Sequence, residues 1–257
     1  MPTPDRRDRL LSYLQASGRA SVADLASGLG VTSATIRRDL QRLANEGRLL
    51  RTYGGAALAD RRSMRDVRAV AAKTAIGAVA AHLVADGSTI AIGSGSTALE
   101  LARCLVDRRL TVITNALDVA NLLVDRAGID LILRGGEIRP RMHSMLGHLA
   151  EMATAELRAD TLFMGIGAIS LDHGLMNDSI PEIQTDRALR RMARTVVVLA
   201  DATKFDLVAP AYVFGLDEVD TIVTDWTLDP SRVAEIERRG IRVIVASEPA
   251  PPGDEAS

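Results

Sequence analysis

Thr89-Ile90-Ala91-Ile92-Gly93-Ser94-Gly95-Ser96-Thr97 is an apolar run that breaks into a turn of glycines and hydroxyls. Beyond it, Ala98–Val106 carries apolar residues at helical spacing, so the stretch reads as strand, turn and helix. The same alternation continues on the C-terminal side. Further apolar runs lie at Leu110–Thr114, Asp130–Leu133, Thr161–Ile166, Thr195–Ala200, Thr221–Thr224 and Ile241–Ala246, with helical patterns at Leu117–Arg126, Ile183–Ala193 and Ser231–Arg239. Asp229-Pro230 opens the last helix with a cap and a proline at its first position,. Alternation of this kind predicts an α/β domain with a mainly parallel sheet covered on both faces.

In such sheets ligands sit at the carboxyl ends of strands. Gly93, Ser94, Gly95, Ser96 and Thr97 occupy one of those ends, where free amides, hydroxyls and a helix N-terminus favour an anion. A tight turn with a serine cap is the alternative. The loop lacks the lysine of a nucleotide P-loop. With Ala98 it fits a loose dinucleotide fingerprint, but the next strand ends at Asn115 instead of an acid, which argues against NAD. Thr114-Asn115 closes one strand, and Asp201-Ala202-Thr203-Lys204 closes another on the same edge. Lys204 is therefore either a site lysine or a solvated charge. Gly135-Gly136-Glu137 and Glu182 read equally as turn chemistry or a helix-face acid.

Towards the N-terminus the pattern changes to three short helices. The first runs roughly from Asp5 to Ala16, with Leu10, Leu11 and Leu14 at core spacing, and Gly18 ends it. Ser21 caps the second, with Asp24 in the capping-box position and Val22, Leu25 and Leu29 inward,. Gly28 and Gly30 supply the turn, and Thr32 caps the third helix, Ser33–Asn45. Ile36, Leu40 and Leu43 share one face of that helix; Arg38 centres the opposite one, with Ala34, Gln41, Arg42 and Asn45 around it and Thr35 and Arg37 flanking,. Ser33 joins Thr35, Arg37, Arg38, Gln41 and Arg42 as an expected DNA contact. Such a helix enters a major groove, where Arg reads guanine and Gln reads adenine; a solvated face is the bland alternative. Arg48, Arg51 and Tyr53 follow on a β-wing, where the arginines position the head on phosphate without reading bases.

Charge supports the division. Residues 1–58 hold nine Arg and five acids, a surplus of four cations; the other 199 residues hold 22 basic and 28 acidic residues, a surplus of six acids. A basic head on an acidic body offers one end to nucleic acid. We therefore assign 1–57 to a winged helix-turn-helix domain, 58–72 to a linker, 73–247 to an effector-sensing α/β domain, and 248–257 to a disordered tail. No run reaches the eighteen apolar residues of a membrane span, and the charged start, Met1 to Arg9, has no export signal,. With Cys104 as its one cysteine, reading as a small core residue, the expected location is cytoplasmic,. His82, His143, His148 and His173 lack zinc spacing, and Ser94 is not in a nucleophile-elbow string,. No cofactor or metal is expected.

Thr32-Ser33-Ala34-Thr35-Ile36-Arg37-Arg38-Asp39-Leu40, the closing Arg51-Thr52-Tyr53-Gly54-Gly55-Ala56 and the spacing back to Arg6, Leu10 and Leu14 resemble the DeoR family of repressors. The likeness runs from about Arg6 to Asp225, through the Gly93–Thr97 loop, Val112-Ile113-Thr114-Asn115, Gly135-Gly136 and Leu199–Phe205. Family members often carry His at the place of Tyr53, Asp at that of Gly93 and Thr at that of Ser96. The resemblance implies a sensor domain similar to ribose-5-phosphate isomerase, with the glycine loop on an effector phosphate and Asn115, Glu182, Asp201 and Lys204 around the sugar. It also implies repression of a carbohydrate operon on double-stranded operator DNA. Because one small head buries too little surface for tight specific binding, a homo-oligomer, dimer or tetramer, is expected.

The rival reading is a sugar-phosphate isomerase with an appended head. The isomerases carry an Asp-Gly-Ala-Asp-Glu cluster after a central strand, where this chain reads Met164-Gly165-Ile166-Gly167-Ala168-Ile169 with no acid before Asp172. Isomerisation needs a carboxylate base there, so the expectation is a binding protein and not an enzyme. A plain interaction module would leave the outward Arg37, Arg38 and Arg42 set unexplained.

Overall fold

The computed structural model describes residues 6–249 except 8, 12, 15–18, 46–48, 53, 59–60 and 141–142, and leaves aside the side chains of 19, 44–45, 50–52, 57–58 and 61–67. The chain divides into two compact units between Val70 and Ala71. Gly18, Arg48, Tyr53 and nearly all of the expected tail lie outside the described residues.

In the first unit, residues 6–7, 9–11 and 13–14 are helical. Then come strand β1 (Arg19–Ser21), helix α1 (Val22–Leu29), helix α2 (Ser33–Asn45) and strands β2 (Leu49–Thr52) and β3 (Gly55–Leu58). Ser21 Oγ accepts from the Asp24 amide at 3.1 Å, and the Asp24 carboxylate accepts from the Ser21 amide at 3.3 Å. That reciprocal capping box fixes the start of α1. Gly30, at φ +68°, ends it in the left-handed region, where glycine carries no Cβ penalty. Gly28, expected in the turn, instead sits inside α1, because the helix needs only one left-handed residue to stop. Leu10, Leu14, Leu25, Ile36, Leu40 and Leu43 are fully buried in one cluster. At ~1.5–3 kcal/mol per buried aliphatic side chain, this is what holds the three helices together. The wing is three-stranded, in the antiparallel order β1-β3-β2. Gly55 faces Ser21 in the β1–β3 ladder, and a Cβ there would lie 2.2 Å from the Ala20 carbonyl oxygen.

Helix α3 (Arg61–Ala81) covers most of the stretch expected as a joint and contains the division between the units. The second unit is built on a fully parallel seven-stranded sheet in the order β15-β14-β12-β9-β4-β5-β6. Its strands are β4 (Thr89–Ile92), β5 (Leu110–Thr114), β6 (Ile129–Leu133), β9 (Ala159–Gly165), β12 (Ala193–Leu199), β14 (Thr221–Asp225) and β15 (Arg242–Ala246). All seven expected runs are present, shifted by two residues at most. Along the five inner strands the side chains alternate between two buried clusters. Ala91, Ile113, Leu162, Met164, Val196, Val198 and Ile222 fill one face; Ile90, Ile92, Val112, Phe163, Val197, Leu199 and Val223 fill the other. Burial on both faces is why these strands read as continuous apolar runs.

Helices α4 (Ser96–Arg103), α5 (Leu117–Leu123), α6 (His148–Ala155), α7 (Ile183–Met192) and α8 (Pro230–Glu237) complete the framework. Helix α4 begins two residues earlier and ends sooner than its periodicity suggests. Cys104 therefore falls beyond the helical face and is exposed instead of in the core. Small strands unseen in the sequence form a β7–β8 hairpin (Glu137–Arg139, Ser144–Leu146) and an antiparallel sheet in the order β10-β11-β13 (Ala168–Ser170, Gly174–Asn177, Ala211–Phe214). Chain order runs from β4 to β5 and β6 in one direction, and to β9, β12, β14 and β15 in the other. The sheet thus has its switch point between β4 and β9, where the carboxyl ends open a crevice.

Candidate functional site

In the first unit, Ile36, Leu40 and Leu43 seat α2 in the core, which turns Ser33, Arg37, Arg38, Gln41 and Arg42 to the exposed side. Thr35 is half-buried, and its amide donates to Thr32 Oγ1 at 3.3 Å, so Thr35 is part of the cap that starts the helix. Asp39 is 5% exposed and binds the Arg6 guanidinium through both oxygens, at 2.6 and 3.1 Å. This fork ties the opening helical residues to the exposed helix; a carboxylate inside an Arg-rich string was its only trace in the sequence. Arg51 lies on β2, paired with Ala56, its side chain outside the description.

In the second unit a cavity of about 430 Å³ opens at the switch point. It brings together Gly93, Ser94, Gly95, Ser96, Thr97, Glu182, Asp201 and Lys204, eight of the nine residues expected around an effector. The volume lies within the range of small-molecule sites. Gly95, at φ +112°, leads into α4, whose N-terminus has no side-chain cap. The first amides of that helix therefore face the cavity with the positive end of its dipole. Gly93 closes the strand end: its amide donates to the Phe163 carbonyl at 2.9 Å.

Asn115 is not among the lining residues. Its backbone carbonyl accepts from the Met145 amide at 2.7 Å, and its Nδ2 donates to the Met145 carbonyl at 3.3 Å. Beside it, Thr114 Oγ1 donates to the Ile92 carbonyl at 2.7 Å and accepts from the Ala116 amide at 3.0 Å. The polar pair that ends β5 thus joins strand ends to one another and to the hairpin.

The Asp201 side chain accepts from the Thr203 amide at 3.1 Å and from the Thr203 hydroxyl, which shapes the turn carrying Lys204. A deeper carboxylate supports that turn. Asp225, 1% exposed, accepts from the Ala202 amide at 2.7 Å with one oxygen and from the Thr227 amide at 2.9 Å with the other. Glu182 is nearly buried and paired with Arg139 at 2.8 Å.

The remaining wall comes from residues the sequence did not single out: Lys73 of α3, Arg139 of β7, Asn177, Asp178 and Ser179 after β11, and Asp186 of α7. Asn177 bridges the wall, its Oδ1 accepting from the Gly167 amide at 2.8 Å and its Nδ2 donating to Asp186 at 2.7 Å. Burial pushes the Asp186 carboxyl up to about 7; neighbouring Glu182 adds to this, and Asn177 and Arg134 oppose it. Arg134 itself is buried with Nη1 on Thr154, and desolvation lowers its guanidinium to about 10. Lys73 and Lys204, by contrast, have no ion pair among the described residues. The cavity therefore combines open helix amides and two lysines with the carboxyl groups of Asp178, Glu182, Asp186 and Asp201. This arrangement suits a ligand with one anionic end and several hydroxyls. Among the described residues no group of three or more His, Cys, Asp or Glu could hold a metal ion, and no helix is long and apolar enough to cross a membrane.

Comparison with known proteins places both units. The DeoR-like helix-turn-helix domain matches residues 6–62, and the DeoR C-terminal sensor domain matches residues 68–226. The transcriptional repressor AccR of Agrobacterium fabrum is 33% identical over 231 residues, 87% of this chain and 90% of that one. The HTH-type transcriptional repressor CsqR of Escherichia coli is 30% identical over 251 residues, 95% of this chain and 96% of that one. Among solved structures, ribose 5-phosphate isomerase A of Methanocaldococcus jannaschii aligns over 52% of this chain and 53% of its own, at 21% identity and a TM-score of 0.39.

Proposed function

The chain belongs to the DeoR family of helix-turn-helix transcriptional regulators, and from that premise we propose that it represses a carbohydrate operon and is controlled by a phosphorylated sugar held in the switch-point cavity. The carrying observation is the cavity itself. Eight residues from three separate stretches of sequence, Lys204 among them, line one space at the uncapped start of α4 together with Lys73, and neither lysine has an ion pair among the described residues. The phosphate sits on the Gly93–Thr97 amides and the lysines; the hydroxyls face Asp178, Glu182, Asp186 and Asp201.

On the DNA side, Arg38, Gln41 and Arg42 of α2 read base edges, with Ser33 and Arg37 at the flank, and Arg48, Arg51 and Tyr53 hold the backbone. Thr35 contributes by starting the helix. A single head of this size buries too little surface for tight specific binding, so the active species is a homo-oligomer on repeated half-sites. Lys73 follows directly on the 58–72 joint, so a ligand that engages it acts on the segment leading to the head. The response is limited to the ligand's differential affinity for the two states. At the place of the isomerases' acidic cluster, Gly165, Ile166 and Gly167 bring no acid to the cavity, which weighs against an isomerase reading.

A thermal-shift screen with sugar phosphates tests this reading. At a hundredfold excess over Kd a true effector stabilises by ~2.7 kcal/mol, which raises the unfolding midpoint of the wild type. Lys204→Ala should lose that rise and keep its DNA affinity. Loss of DNA affinity as well would refute two independent sites.

A further inference from the structure

The carboxyl-bearing wall of the cavity makes a demand on the ligand that its phosphate does not. Two of its polar atoms lack a partner among the described residues. Ser179 is 5% exposed, and its Oγ is buried with no hydrogen-bond partner there. Asp186 receives the Asn177 bond on Oδ2, and among the described residues no bond reaches Oδ1. Next to Asp186, Arg139 pairs with Glu182 and the Asn177 amide is used on Asp186 Oδ2; Arg134 gives Nη1 to Thr154, and its Nε and Nη2 have no partner among the described residues. The groups that bear on Asp186 are Asn177 of β11, Glu182 in the turn before α7, Arg134 after β6, and Lys73, Arg139, Asp178, Asp201 and Lys204 around the cavity. Glu182, four residues earlier and already serving Arg139, makes a second negative charge at Asp186 unfavourable,. Carboxylates accept the hydroxyl protons of a sugar, but an oxygen with no proton to give needs a donor here.

We propose that Asp186 binds the ligand as a neutral carboxylic acid, donating its proton from Oδ1 to an uncharged oxygen of the sugar. The proposal rests on the effector reading above and sharpens it. The effector's non-phosphate end is a neutral carbonyl or hydroxyl oxygen, neither an amine nor a carboxylate, and affinity weakens above neutral pH. Burial of the carboxyl agrees with this, since it holds the proton to about pH 7 without a ligand.

Isothermal titration of the full-length protein at pH 5.5 to 8.5 decides the point. Wild type and Asp186→Asn are titrated with ribose 5-phosphate, fructose 6-phosphate, glucosamine 6-phosphate and inorganic phosphate. Asparagine keeps the shape and a donor but cannot titrate, and the ratio of the two Kd values removes the ligand's own phosphate titration. For the neutral sugar phosphate that binds, the ratio of wild-type to variant Kd should be level at acid pH. Above about pH 7 it should rise towards tenfold per unit, while inorganic phosphate shows no change. Asp186→Ala, which has no donor, should lose sugar-phosphate affinity at every pH and keep phosphate. A level ratio across the range overturns the proposal, as does tighter binding of the amino sugar by wild type with rising pH. If neither protein binds any sugar phosphate while inorganic phosphate still binds, the sugar reading itself fails, and this one with it.

Discussion

Gly77 sits in the middle of helix α3, where glycine costs about 1 kcal/mol relative to alanine. The packing explains it. A Cβ at position 77 would lie 2.6 Å from the Glu100 carbonyl carbon, 2.7 Å from the Leu101 amide nitrogen and 2.9 Å from the Glu100 Cβ. Two of those atoms are backbone of α4 and cannot rotate away. Restoring ordinary carbon contacts of about 3.5 Å requires α3 and α4 to part by roughly 0.8–0.9 Å. Overpacking of that kind costs about 1–3 kcal/mol, and the better helix propensity of alanine returns about 1. Because the clash is backbone on backbone, Gly77→Ala should destabilise the second unit by about 1–2 kcal/mol. Helix α4 also opens with Ser96 and Thr97, so the displacement should weaken sugar-phosphate binding several-fold. Urea unfolding gives the first quantity and ligand titration the second. A Gly77→Ala protein more stable than wild type by up to about 1 kcal/mol, as on an open helix face, would refute the close approach of α3 to α4.

Three further outcomes follow from the same geometry. Arg38→Ala should relax preference at one base pair by about 1–3 kcal/mol, whereas Arg51→Ala should weaken all sequences alike and lower the salt slope by about one; anisotropy titrations on operator variants at several salt concentrations separate the two, and identical behaviour would refute the division of roles. Asp186 holds its proton to about pH 7 when folded and to about pH 4 when unfolded, so its contribution is complete below pH 4 and is lost as pH rises towards 7,. Relative to Asp186→Asn, wild-type stability should fall across that window by on the order of 2–4 kcal/mol in urea titrations; a rise would contradict the assignment. Thr114→Val strands the Ile92 carbonyl and the Ala116 amide in a fully buried place, at about 1–3 kcal/mol each, and calorimetry should show a lower unfolding midpoint.

Much of this architecture is legible along the chain because its signals are local. The capping box at Ser21 and Asp24 lies within one turn. Helix α2 shows its apolar seat at Ile36, Leu40 and Leu43 within eight residues. The five inner strands of the parallel sheet are buried on both faces, so each is a continuous apolar run bounded by polar turns, while the edge strands β6 and β15 are partly exposed. The cavity is legible only along its strand-end loops. Lys73 and Asp186 reach it from helix faces, and Arg139, Asn177 and Ser179 from strands of three or four residues or the turns beside them. Hydrophobic period carries no information at that length. Asn115 shows the converse: a polar residue at a strand end whose partner proved to be the Met145 backbone.

The central claim is that a phosphorylated sugar in the switch-point cavity governs DNA binding by the head. The most direct measurement is fluorescence anisotropy of the full-length protein on the DNA upstream of its own operon, with and without a panel of sugar phosphates. Tight, salt-sensitive binding that one sugar phosphate reverses in wild type but not in Lys204→Ala is the predicted result. DNA binding that no sugar phosphate alters, or that the effective sugar phosphate reverses equally in Lys204→Ala, would contradict it.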